Sequence, residues 1–314
     1  MKHEYGFDVH QIFPFCIMKE ELLIEEENSL PLVTPQILIR ELTTYSELLD
    51  VQRLENLIWN EPPIPLHQTF TSIQNGGLIL GAYINETLVG FSYGFAGFKN
   101  GQAYLCSHIL GIQPEHQEKG IGALLKEVQR QKSLEMGYNM MTWTYDPLES
   151  RNGYFNLSKL HAICRTYVEN CYGEMVDDLN AGLPSDRFKV EWWFNNPFIE
   201  EKQQIEVKNE KSPFQIEITE KGFPRLMNVT STLERILKNR TIEQILVPVP
   251  IHFQHLKKED FELALHWRLK SRKILQTLFD NGFVAVAVKK NKENVVNNYV
   301  LVKEDLIKEP RIFG

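Results

Sequence analysis

Residues 117 to 122 read Gln-Glu-Lys-Gly-Ile-Gly and stand between a strand-like stretch, Tyr104–Ile112, and a helical stretch, Ala123–Met136. Two glycines at such a junction allow a tight turn and a close approach to a ligand, because no Cβ stands in the way. The amides that open the helix have no intrahelical partner and lie at the positive end of the helix dipole. The junction therefore predicts a loop that binds a phosphate or a diphosphate.

Two common glycine motifs do not fit this loop. The dinucleotide fingerprint requires a third glycine where this chain has Leu125, and the Gly-Lys-Ser/Thr of the phosphate loop is absent. The remaining pattern, Gln-x-x-Gly-x-Gly after an apolar strand and a Gln-Pro-Glu-His turn, resembles the acyl-CoA pyrophosphate loop of the GNAT superfamily of N-acyltransferases. The alternative is a loop whose glycines only permit a turn.

The resemblance implies acetyl-CoA or another acyl-CoA as co-substrate and no metal. It also implies that the strand before the loop, the loop itself and the start of a later helix bind this cofactor. The residues concerned are Leu110, Ile112, Gln117, Glu118, Lys119, Gly120, Ile121, Gly122 and Asn156. In the superfamily that later helix also carries a tyrosine that protonates the departing thiolate, and Tyr167 is the nearest equivalent within residues 153–173. The alternative for Tyr167 is a ring buried in the core.

The elements around the loop follow a recognisable order. A strand at 37–42 precedes a helix with apolar positions Leu48, Val51 and Leu54, and then comes a hairpin with strands at 77–84 and 88–96. After the loop, the helix is expected to end at Gly137, and Met140–Tyr145 is strand-like. This order resembles the GNAT fold, an α/β fold with a mixed sheet, over roughly residues 36 to 195. In that fold two central strands splay around the cofactor, here 104–112 and 140–145.

A chain of 314 residues favours two domains. We expect an N-terminal arm at 1–35, a GNAT domain at 36–200 and a C-terminal α/β domain at 201–314, after a charged stretch at 200–211. A strand at 245–250, a helix at 259–280 and strands at 283–288 and 299–302 echo the second half of a GNAT domain. The prediction is a degenerate partial repeat without a second glycine loop, hence a single cofactor site.

His108 is the candidate general base for acyl transfer to an amine. It lies nine residues before the loop, near the point where the splayed strand must bulge, and arylalkylamine acetyltransferases of the superfamily carry a histidine at a matching offset. The ordinary pKa of histidine lies near working pH, which suits a proton acceptor. The alternative is a histidine satisfied by its neighbours, and many GNAT enzymes have no dedicated base. Cys106 has no adjacent cation to activate it as a nucleophile.

Arg268 and Arg272 interrupt the apolar face of the helix at 259–280. They either form internal pairs with carboxylates or bind a carboxylate of the substrate. The stretch 154–162, together with 182–188 and Trp267-Arg268, also resembles long bacterial GNAT proteins, some of them linked with N-succinylamino acid racemases. That resemblance makes succinyl-CoA a possible donor and an amino acid a possible acceptor.

Composition excludes several classes of function. The net charge of −7 argues against binding to duplex nucleic acid, and no apolar run is long enough to cross a membrane. Four cysteines without metal spacing, and no visible secretory signal, predict a cytoplasmic protein. We expect a small-molecule amine as acceptor and, by resemblance, a homodimer. The competing hypothesis is a non-catalytic module that senses CoA.

Overall fold

The computed structural model describes residues 5–6, 37–117, 119–173, 182–194, 211–291, 295–307 and 311–313. The chain forms two compact units: Met1–Gly97 with Leu105–Gly137, and Phe98–Tyr104 with Tyr138–Gly314. The predicted domain at 36–200 therefore takes in part of each unit. Its boundary at residue 200 falls within 195–210, outside the described residues, and so does the predicted N-terminal arm apart from residues 5–6.

In its described part, the first unit contains five neighbouring strands of a sheet, in the order β1 to β5, and three helices. The strands are β1 (Tyr5–Gly6), β2 (Ile37–Glu41), β3 (Leu78–Ile84), β4 (Thr87–Lys99) and β5 (Gln102–Ile112). The helices are α1 (Tyr45–Trp59), α2 (Leu66–Gln74) and α3 (Ile121–Glu135), and a 3-10 turn at Pro114–His116 precedes α3. The core between the sheet and α1 consists of Leu42, Leu48, Val51, Leu54, Leu66, Ile79, Phe91 and Tyr93.

Local chemistry explains where these elements begin and end. Thr44 and Glu47 form a capping box that starts α1, where Thr44 and Glu47 each accept a hydrogen bond from the backbone of the other residue. Asn85 and Glu86 both have positive φ and form the two-residue turn between β3 and β4. Gly137, which follows the C-cap residue Met136 of α3, has φ +91°, as the sequence predicts for a helix end.

In its described part, the second unit contains six neighbouring strands of a sheet and a separate hairpin. Its elements are β6 (Met140–Tyr145), α4 (Ser150–Gly153) with a π-helical turn (Tyr154–Lys159), β7 (Ile163–Val168), β8 (Arg187–Trp193), β9 (Gln215–Ile218), β10 (Pro224–Met227), α5 (Val229–Lys238), β11 (Gln244–Pro250), α6 (Phe253–Glu259), α7 (Phe261–Asp280), β12 (Phe283–Lys289) and β13 (Val296–Lys303). The sheet order is β6-β8-β7-β12-β13-β11. Within the described ranges, no helix is both long and apolar enough to cross a membrane.

These six strands form two triplets with the same topology, β6-β8-β7 and β11-β13-β12. In each triplet, the first strand is followed by a helical segment and then by a second strand. The third strand lies between the other two and pairs antiparallel with both. The triplets meet where Cys164 of β7 pairs with Ala285 of β12, and both strands shift register immediately after that residue. The repeated topology is the one that the partial-repeat hypothesis expects. The order of elements over 37–193 agrees with the resemblance, so the predicted α/β fold class is confirmed.

One predicted element is wrong. The helix expected through residues 153–173 ends at Lys159, and Ile163–Val168 is strand β7. The β-branched and aromatic residues of that segment favour a strand. Arg165 on β7 also forms a bidentate pair with Glu191 on β8, and both side chains are fully buried. This pairing between strands requires the extended backbone.

Candidate functional site

The glycine turn opens α3 as a ring of outward-facing amides. Gly120 is the N-cap residue, and the first intrahelical bonds run from the amides of Ala123 and Leu124 to its carbonyl, at 3.0 and 3.2 Å. The amides of Ile121 and Gly122 precede those donors, so the helix itself offers them no acceptor. The arrangement can bind an anion with backbone nitrogens alone.

The two glycines contribute in different ways. Gly120 has φ +80°, a backbone conformation that other residues adopt with strain. Gly122 lies within the helix, and among the described residues a Cβ there would meet only Leu110 Cδ2, at 3.6 Å, which is ordinary contact. Gly120 is therefore required for the turn, whereas Gly122 leaves open space in front of the amides.

The side chains of the turn add a cation and hold the loop to the strand. Gln117 Nε2 donates to the carbonyl of Ile112 at 3.3 Å, which closes the loop onto the end of β5. Lys119 is exposed, and its Nζ lies 3.4 Å from His116 Nδ1. Glu118, also predicted to bind the cofactor, lies outside the described residues. The turn thus presents amides and one ammonium group to solvent.

Strand β5 breaks its alternation of faces next to His108. Ser107 and Leu110 face α3, since Ser107 Oγ bonds Gln129 at 2.6 Å and Leu110 lies against Gly122. Ile109 packs on the opposite core, with α1. In a regular strand, Ser107 and Ile109 would share one face. The alternation therefore shifts at His108, an irregularity of the kind that re-aims side chains beside active sites.

His108 lies among aromatic rings on the α1 side of the sheet. Its ring centroid is 5.6 Å from that of Phe95 and 6.2 Å from that of Tyr93, both edge-on. Part of the imidazole is exposed, yet the partial burial lowers its pKa below the ordinary 6.5. A lowered pKa leaves the imidazole neutral at neutral pH, so that it can accept a proton.

On the opposite side of β5, Lys126 of α3 is buried. Its Nζ donates to Ser107 Oγ at 2.8 Å, and Ser107 in turn donates to Gln129. Burial lowers the pKa of Lys126 to about 7 from an ordinary 10.5. The bond from Lys126 holds β5 at the residue just before His108. The sequence signal for this contact is a lysine among the inward positions of α3, between Leu125 and Val128.

We expect Lys126→Met to change the pH dependence of stability. Unfolded protein binds a proton at Lys126 up to about pH 10.5 and folded protein only up to about pH 7, so stability rises with pH between these values. From pH 7 to 9 this group should contribute a gain of about 2 kcal/mol. Urea unfolding at both pH values should show this gain in the parent and not in Lys126→Met. Lys258→Met, at an exposed position, should retain it, and a gain that survives in Lys126→Met would contradict the assignment.

Two predicted site residues, Asn156 and Tyr167, belong to the second unit and have internal partners. Asn156 Oδ1 accepts from Trp143 Nε1 at 3.2 Å. Tyr167 lies on strand β7 rather than on a helix, and its hydroxyl donates to Asp186 Oδ2 at 2.6 Å. Burial and the carboxylate of Asp186 raise the pKa of Tyr167. The phenolic proton is therefore directed at Asp186.

Arg268 and Arg272 also have carboxylate partners in the second unit. Both terminal nitrogens of Arg268 bond Asp146, one of them at 2.8 Å, and its side chain is 2% exposed. Arg272 forms a bidentate pair with Asp186, with both bonds at 2.8 Å, and also contacts Glu169. The sequence left two alternatives open for these arginines, and in the structure both form internal pairs with carboxylates.

We expect Arg272→Ala to destabilise the fold by about 3 kcal/mol, because it leaves the fully buried carboxylate of Asp186 without its cation. Urea unfolding is the measurement. Arg53→Ala is the control, since Arg53 and Asp50 form an exposed pair that should contribute less than about 1 kcal/mol. Equal losses in the two variants would contradict a structural role for Arg272.

Comparisons with known proteins concern parts of the chain. No protein-family model matches it, and no curated protein matches it. Among solved structures, Naa50 of Arabidopsis thaliana, in complex with a bisubstrate analogue, is 15% identical over 49% of this chain and 97% of its own, with a TM-score of 0.40. The ribosomal-protein alanine N-acetyltransferase of Escherichia coli is 14% identical over 50% and 94%, with a TM-score of 0.40. An aminoglycoside acetyltransferase from a soil metagenome is 17% identical over 37% and 82%, with a TM-score of 0.33.

Proposed function

We propose that this protein is an acyl-CoA-dependent N-acyltransferase that acts on the primary amine of a small molecule. The observation that carries the proposal is the turn at Gly120–Gly122, where the first amides of α3 have no acceptor within the helix and Gly122 adds no side chain beside them. Its place after β5, in the order of elements that the resemblance implies, supports the same function.

The residues of the turn fit the diphosphate of CoA. Backbone nitrogens and the helix dipole favour a group with two negative charges, and Lys119 adds a cation at the rim. Gly122 leaves the space that a close approach of phosphate oxygens requires. When bound, acyl-CoA would supply an activated carbonyl carbon and a thiolate leaving group.

Groups of the protein itself would accept a proton from the acceptor and stabilise the charge that develops on the carbonyl oxygen. An acceptor reaches the protein as an ammonium and must lose one proton before its nitrogen can attack. His108 is neutral at working pH and can take that proton, directly or through a water. Amides of β5, near the break in alternation, are candidates for stabilising the developing oxyanion. The nitrogen–carbon bond would then form as the carbon–sulfur bond breaks, the electron pair would leave with sulfur, and the thiolate would take up the second proton that the nitrogen loses on becoming an amide.

We propose acetyl-CoA as the donor. The two arginines that could have recognised the carboxylate of a succinyl group are engaged with Asp146 and Asp186. A cytoplasmic location forms part of the proposal, and the free thiols of Cys106, Cys164 and Cys171 agree with it. The homodimer expected from the resemblance stays a prediction.

The test combines binding with turnover. Calorimetry should detect CoA binding to the full chain, and a thiol-reactive dye should report CoA release from acetyl-CoA in the presence of primary amines. Binding without release for any amine would favour the non-catalytic sensor. No detectable binding of CoA would overturn the proposal.

A further inference from the structure

An open groove of about 640 Å³ lies between α2 and β4 in the first unit. Its wall on the helix side consists of His67, Gln68, Thr71, Ser72 and Asn75. Its wall on the sheet side consists of Tyr93, Phe95 and Ala96. The size suits a small organic molecule.

The groove leads to His108. The rings of Tyr93 and Phe95 that line it are the two rings that flank the imidazole, at 6.2 and 5.6 Å between centroids. Its contacts with these two rings place His108 on this side of the sheet. A molecule lying in the groove along Tyr93 and Phe95 would thus have one end close to the imidazole.

The groove is built from a part of the chain without formal charge. Residues 62–85 and 87–98 contain no Asp, Glu, Lys or Arg, although charged residues make up 24% of the protein. Every lining residue in the described part of the chain comes from these two segments. An ammonium can rest against the faces of aromatic rings, whereas the described lining side chains include no lysine or arginine that could pair with a carboxylate. A second ammonium likewise finds no carboxylate.

We propose that this groove binds the acceptor and selects a primary amine on an uncharged, apolar or aromatic body, an inference that rests on the proposed function. The α-carboxylate of an amino acid is attached beside the amine, at the end that must approach His108, and would lose water there without an ionic partner. A polyamine would place further charges along the uncharged walls. Both classes should be disfavoured relative to alkylamines and arylalkylamines.

Two matched pairs of acceptors test the selection with acetyl-CoA as donor. 2-Phenylethylamine and L-phenylalanine differ by the carboxylate, and pentylamine and 1,5-diaminopentane differ by the second amine. We expect kcat/KM to be at least about tenfold higher for the uncharged-body member of each pair. Equal values, or a preference for the charged members, would overturn the inference.

Two variants localise the selection to the groove. Thr71→Arg, at an exposed position of α2, adds a cation to the wall and should narrow the ratio between 2-phenylethylamine and L-phenylalanine at least about tenfold. Thr71→Gln is the uncharged control and should keep the parent ratio. Ala96→Trp should fill the groove and raise the KM for 2-phenylethylamine while the Kd of CoA stays unchanged. An unaltered ratio in Thr71→Arg together with an unaltered KM in Ala96→Trp would place the acceptor elsewhere.

Calorimetry with CoA separates the two proposals. A protein that binds CoA and prefers L-phenylalanine would retain the proposed function and lose the groove inference. A protein that binds CoA and turns over none of the four amines would also overturn the groove inference. Failure to bind CoA would overturn the function itself, and the groove inference with it.

Discussion

Gly122→Asp should weaken CoA binding at least about 100-fold, equivalent to about 2.7 kcal/mol. The substitution places a carboxylate in the open space before the amides of α3, where it repels the diphosphate and occupies its volume. The same carboxylate lies in the first turn of a helix, where the dipole favours negative charge. Thermal stability should therefore stay equal or rise slightly while binding is lost. Calorimetry with CoA and a thermal melt give the two readings.

Two controls separate charge from volume and from a general effect of losing a glycine. Gly122→Asn has the shape of aspartate without its charge and should bind CoA with intermediate affinity. Gly101→Asn changes a turn glycine with φ +79° and no atom within 4 Å of the added Cβ, so CoA binding should not change. Parent-like affinity in Gly122→Asp would mean that the diphosphate does not bind at this turn.

His108→Gln should lower kcat/KM about 100-fold and leave the Kd of CoA unchanged, because a general base typically contributes a factor of this size. The ionisation of the amine affects parent and variant equally, so its effect cancels in the ratio of their kcat/KM values. The imidazole can accept a proton only when neutral, so this ratio should rise through a pKa below 6.5 and stay level at higher pH. Steady-state rates from pH 5 to 9 are the measurement.

The control for this substitution is His255→Gln. His255 is an exposed histidine of α6 in the second unit, and its replacement should leave both rate and profile unchanged. A full rate for His108→Gln from pH 6 to 9 would show that the reaction proceeds without a protein base at this position. Lost CoA binding in His108→Gln would instead indicate a distorted β5.

The sequence by itself determined the features that depend on neighbours along the chain. The turn at Gly120 and Gly122, the helix that follows and its end at Gly137 depend on backbone freedom and hydrogen bonds between residues a few positions apart. The order of strands and helices could be predicted for the same reason, because apolar periodicity is local. His108 was located by its offset from the turn, but not by its surroundings.

Only the tertiary structure decided the features that depend on residues far apart in sequence. Tyr167 lies on a strand because β7 pairs with β8, and it bonds Asp186, which also holds Arg272. The sequence shows that a buried arginine needs a carboxylate but not which carboxylate reaches it, since pairing over such separations is set by packing. The lysine beneath β5 and the uncharged groove beside His108 arise in the same way, where separate elements meet.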